Sequence, residues 1–143
     1  MNKLIALFFL FTLSISSQEV FEETYLFENL RVIKKPIELP RGPISQDFIS
    51  AKSTMLQYVA LGHSSEILPE AALFLQSQET VEELIKFYET ALQNRDWRIL
   101  QKDNKGNKQV ILGESPSKKV MTILIRDEKD YRVIKIFYRR PGF

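Results

Sequence analysis

The sequence predicts an α+β domain, with an antiparallel sheet of about four to six strands and one main helix near residues 80–94 packed on one face. Three observations predict it. Val81, Leu84, Ile85, Tyr88, Ala91 and Leu92 recur at spacings of three and four, the stripe of an amphipathic helix. Short apolar runs rich in β-branched and aromatic residues then alternate with turn clusters. The connections between those runs are too short for a parallel crossover, so neighbouring strands must be antiparallel.

The first element is not part of the fold. Met1-Asn2-Lys3 gives a charged start, Leu4–Leu13 is apolar apart from Thr12, and Ser14-Ile15-Ser16-Ser17 supplies small residues before Gln18. Charge, apolar run and small residues, in that order, form an export signal. The run is shorter than the about 20 residues that span a bilayer as a helix. Residues 1–17 are therefore expected to be a signal peptide cleaved after Ser16 or Ser17. The mature protein is expected outside the cytoplasm, periplasmic or extracellular, with no stable membrane insertion. A retained leader would instead tether the domain.

Residues 18–43 differ in character. Val20, Phe21, Tyr25, Leu26 and Phe27 are apolar, and Pro36, Pro40 and Pro43 follow. Proline removes a backbone donor and is excluded from helix interiors and central strands. This segment reads as an extended arm, followed by a single α+β domain at 44–143. Within 44–61 the run Met55–Leu61 favours a strand by its length and Tyr/Val content. Ile44, Phe48, Ala51, Met55 and Val59 also fit a helical stripe, which periodicity alone does not resolve. Ala71–Gln76 is a buried strand.

Thr80 and Glu83 have the spacing of a capping box, in which each side chain satisfies a backbone N–H of the other residue. The helix they open should end at Asn94 or Arg95. Strands follow at 97–101, 109–112, 120–125 and 131–138. The clusters Asp103–Asn107, Ser115–Ser117 and Asp127–Asp130 form the turns between them.

Glu79 to Tyr88, then Leu92, then Trp97 opening a strand, resembles a recurring small α+β domain of exported bacterial proteins. The resemblance covers about residues 67–138. It implies a strand, a helix, a Trp-initiated strand and a hairpin meander, together with export, and it carries no common activity. In that pattern glycine usually precedes the tryptophan; Asp96 stands there in this chain.

Composition removes several chemistries. There is no cysteine, so no disulfide, thiolate nucleophile or thiolate metal ligand exists. His63 is the one histidine, which leaves zinc only carboxylates as further ligands. No glycine-rich phosphate loop is present. Lys3 belongs to the leader, so 19 Lys and Arg remain against 18 Asp and Glu. That balance gives no bulk attraction to nucleic acid. No cofactor, metal site or catalytic residue is predicted. The alternative is a small hydrolase. It would use His63 with Ser64 or Ser65, or a carboxylate pair drawn from Glu22-Glu23, Glu82-Glu83 or Asp127-Glu128-Asp130. Each acid cluster already has an ordinary role in an arm, a helix N-terminus or a hairpin turn.

The last two strands are apolar on both faces. Met121, Ile123, Ile134 and Ile136 are expected to face the helix, and Val120, Leu124, Val133 and Phe137 the opposite side. A solvated sheet face should read polar. The second face is therefore the candidate interaction surface, to be covered by the arm through Phe21, Tyr25, Phe27 and Ile37, by a protein partner, or by self-association. Taken together, these features predict a non-enzymatic exported domain acting as a binding or cell-envelope-associated module.

Overall fold

A computed structural model describes residues 22–62 and 70–140. The expected signal at 1–17 lies outside the described residues. The elements are β1 Glu23–Leu26, β2 Leu30–Lys34, a 3-10 turn Gln46–Phe48, β3 Ser53–Leu61, β4 Glu70–Ser77, α1 Val81–Asn94, β5 Arg98–Lys105, β6 Lys108–Glu114, β7 Val120–Asp127 and β8 Arg132–Arg139. The strands form one antiparallel sheet in the order β1-β2-β3-β4-β8-β7-β6-β5. Two four-stranded meanders thus meet at β4 and β8, and α1 carries the chain from the end of the first to the far edge of the second.

The sheet has eight strands, not the four to six expected. The additional pair, β1 and β2, comes from the segment read as an extended arm. It folds as a hairpin closed by Phe27 and Leu30, and it continues the sheet beyond β3. The prolines at 36, 40 and 43 fall after β2 and leave the hairpin intact. The hairpin extends the sheet in its own plane instead of lying across it. Tyr25, Phe27 and Ile37 accordingly stay 43%, 61% and 72% exposed. Phe21 lies outside the described residues.

One face of the sheet holds the core. Tyr58, Leu73, Leu75, Met121, Ile123, Ile134 and Ile136 are fully buried there beneath Leu84, Tyr88 and Leu92 of α1. The segment after β2 covers the rest of this face, with Ile44 and Phe48 buried. Phe48 packs edge-on to Trp97 at 6.4 Å, and Trp97 packs the same way on Tyr138 at 6.2 Å. Two glycines permit close approach. A Cβ at Gly42 would overlap the Tyr58 hydroxyl, and one at Gly113 would lie 3.0 Å from Leu92.

The helix begins as the capping box requires. Thr80 N–H donates to Glu83 at 2.8 Å, and Glu83 N–H donates to the Thr80 hydroxyl at 3.2 Å. Those bonds hold the Glu83 carboxyl below its ordinary range, the Thr80 backbone being the largest cause. Arg95 caps the other end and donates to Asp47 and Ser45, tying the helix to the 3-10 turn. Asp96 then turns the chain toward Trp97 with φ 59. That is the left-handed region where glycine is ordinary, and aspartate tolerates it better than most residues.

Two predictions follow from this packing. Leu84→Ala should lose roughly 2–5 kcal/mol in urea unfolding through a core cavity, and Thr80→Ala about 1 kcal/mol through the lost cap. A Leu84→Ala midpoint equal to wild type would place the helix stripe outside the core. At the helix exit, Asp96→Val should cost about 1–2 kcal/mol, the penalty of left-handed backbone for a side chain that cannot accommodate it. Asp96→Gly should hold or raise stability. Valine tolerated without loss would argue against left-handed backbone at that position.

Candidate interaction face

Cross-strand register organises the second face into four rows. In an antiparallel sheet, directly opposed residues share a face, so rows of partners can be followed from strand to strand. The first central row runs Gln57, Phe74, Lys135, Leu124, Val110. The second runs Val32, Val59, Ala72, Phe137, Thr122, Leu112. Together they form a half-buried band across the middle strands that is apolar except at Gln57, Lys135 and Thr122. Phe74 and Phe137 meet edge to face at 6.1 Å, and the Lys135 ammonium stands 5.9 Å from the Phe74 ring centre.

Charged rows flank the band. On one side are Glu70, Arg139, Val120, Glu114 and Arg98. These charges largely neutralise one another. Glu114 binds Arg98 at 3.0 Å and Lys118 at 3.1 Å, and Arg139 lies 4.0 Å from Glu70. Lys118 first, then Arg98, hold the Glu114 carboxyl below its ordinary range. On the other side are Gln76, Val133, Arg126, Lys108 and Lys105. Arg126 there pairs with Glu128 at 2.6 Å.

The four residues singled out from sequence lie opposite the helix, one in each row. Leu124 and Phe137 belong to the apolar band, whereas Val120 and Val133 stand in the charged flanks. Phe74 and Ala72 of β4 were missed, and Lys135 of β8, which alternation puts on the same face as Val133 and Phe137, was not singled out. The alternation in Ala71–Gln76 carried the signal for the first two. Nothing local distinguishes Lys135, because its surroundings come from β4 and β7.

Most of the alternative carboxylates are already engaged by other groups among the described residues. His63, Ser64 and Ser65 lie outside the described residues. Glu22 accepts from the Ile37 N–H, Glu23 from the Tyr25 hydroxyl, and Glu83 closes the capping box. Asp127 pairs with Arg132 at 3.0 Å, and Glu128 is held by Arg126. Among the described residues no group of three or more carboxylates and imidazoles could hold a metal ion. On the helix side an open groove of about 710 Å³ runs between the 3-10 turn and α1, with Ile49, Phe87 and Ala91 in its lining. Its acids, Asp47 and Glu83, are already engaged with Arg95 and Thr80.

Comparison with protein-family models, with curated proteins and with solved structures finds no match to this chain.

The aromatic contact at the centre of the band should be measurable. A double-mutant cycle with Phe74→Ala and Phe137→Ala should give a coupling energy of about 0.5–1.5 kcal/mol in chemical unfolding, the worth of an edge-to-face pair. Strict additivity would mean the two rings do not meet.

Proposed function

We propose that this protein is an exported, non-enzymatic binding module that works in the cell envelope or outside the cell, and that its second sheet face docks a protein. The observation that carries the reading is the two-row apolar band between charged flanks on a face that α1 does not cover. A face meant only for solvent would alternate to polar residues at Phe74, Phe137, Leu124 and Val110. Contiguous apolar surface bordered by charge is the usual make-up of an association site. The order of charge, apolar run and small residues at the N-terminus supports export.

Placing a photo-crosslinking amino acid at Leu124 or Phe137 tests the docking face, with Gln93 on the exposed side of α1 as control. Discrete protein adducts in envelope preparations are expected from positions 124 and 137 and not from 93. Equal adducts at all three positions, or none, would overturn the reading. Mass spectrometry of the exported protein should find a mature start at Ser17 or Gln18, and an intact Met1 would remove the case for a cleaved leader. Esterase, peptidase or glycosidase turnover that vanished in a folded His63→Ala variant would establish the hydrolase instead.

A further inference from the structure

We infer that the occupant of this face is an acidic amphipathic helix of a partner protein, a deepening that rests on the docking reading above. Charge is the first argument. Among the described residues Lys105, Lys108 and Lys135 meet no carboxylate within ion-pair distance, whereas Glu114 and Glu70 on the opposite flank have basic partners. The open valences of the band and its neighbouring row are thus mainly positive, with Asp103 at the far edge hydrogen-bonded to Gln101. Lys135 is the decisive member. It sits inside the apolar band between Phe74 and Leu124. Covering it with an apolar partner would bury a charge without a counter-ion, which is strongly unfavourable. A second copy of this chain meeting the band face to face would bring another Lys135 to the same interface. A carboxylate among apolar side chains resolves the conflict.

Backbone chemistry selects the helix. The band is a face and not an edge, so it offers no free backbone groups. An extended strand lying on it would leave its own N–H and C=O groups unpaired, while a helix satisfies them internally. Dimensions agree. From β2 to β6 the band crosses six strands, and at about 4.8 Å per spacing it measures roughly 24 Å. At 1.5 Å per residue, a helix of about 16 residues has that length. Its apolar stripe would lie on Phe74, Phe137 and Leu124, with a carboxylate at the stripe reaching Lys135 between Phe74 and Leu124 and further acids along one edge over Lys108. A lipid surface fits less well. Neighbouring strands rotate by roughly 20–25°, so a sheet this wide is a saddle that a flat bilayer touches only locally.

The test uses synthetic 16-residue amphipathic peptides with identical leucine stripes and either glutamate or lysine polar faces. A scrambled glutamate peptide and phosphatidylglycerol vesicles are the further probes. Titration of the full chain should show the glutamate helix binding and the lysine helix binding at least tenfold more weakly. Lys135→Glu should reverse that preference, and Leu124→Asp should abolish binding to both, with circular dichroism confirming the fold of each variant. Equal binding of the scrambled and helical acidic peptides would overturn the helical occupant. Binding to vesicles but to neither helix would assign the face to membrane. No preference for acid, or no reversal by Lys135→Glu, would overturn the acidic partner. Crosslinks at Leu124 and Phe137 to a partner without an acidic helix would leave the docking face standing while this inference fell.

Discussion

The pairing of β4 with β8 is the constraint on which the rest of the structure depends. Its register runs from Ala71 opposite Tyr138 to Ser77 opposite Arg132 and joins two meanders that share no other strand contact in the sheet order. On the helix side the seam presents Leu73 and Leu75 against Ile136 and Ile134, all fully buried. On the other side the same strands present Phe74, Ala72, Lys135 and Phe137. Core and candidate face therefore share one origin. A one-residue slip would exchange the two sets, placing Lys135 in the core and Ile134 and Ile136 in solvent. The cost of that exchange is what makes the register specific. The partners are distant in sequence, so this contact closes a long loop, the kind of non-local pairing that slows folding.

Elements coded by neighbours in sequence were the legible ones. The Thr80–Glu83 capping box and the stripe from Val81 to Leu92 both act within a few residues, and the helix starts where they place it. The five strands from β4 to β8 were readable because each combines apolar content with a turn signal at its end, whereas β3 was favoured over a helix only by its length and Tyr/Val content. The face assignment of Val120, Leu124, Val133 and Phe137 followed from the two-residue period of a strand. The β1–β2 hairpin was obscured for a physical reason. Every residue of β1 is exposed, so its composition shows no buried alternation, and the three prolines beyond β2 dominate the local pattern. Only Ile33 of the hairpin is buried, on β2 where it pairs with β3.

The composition of the candidate site was less legible than its location. Register with β4 and β7 is needed to see that Lys135 lies among Phe74 and Leu124 and not at a solvated margin. Val120 and Val133 read as equivalent to Leu124 and Phe137 from alternation alone, yet two residues along a strand carry a side chain roughly 7 Å. That step moves each of them out of the apolar band and into a charged row. Asp96 shows the complementary case, in which an unusual residue becomes intelligible once the backbone is known. The chain must leave α1 with positive φ, and aspartate serves where glycine would be ordinary.

Edges and faces of a sheet invite different partners, and here they are treated differently. An exposed edge strand templates further strand pairing unless bulges or charges blunt it. β5 is blunted in both ways. Its register shifts between Ile99 and Gln101, and Lys102 on this strand is drawn to Glu89 of α1 at 2.5 Å. Lys105 and Asp103 place further charge along the same edge. β1 has four residues, too few for a long template. The apolar band on the face has no such protection at its centre, where the only charge is a lysine with no carboxylate partner. Had aggregation through the face been the hazard to avoid, several of its central positions would be expected to carry charge, as they do in the flanking rows. The contrast between blunted edges and an apolar, singly charged face favours association by side-chain docking over association by strand addition. Under the proposed docking, the half-buried Lys135, which has no ion pair among the described residues, would favour an acidic group opposite it.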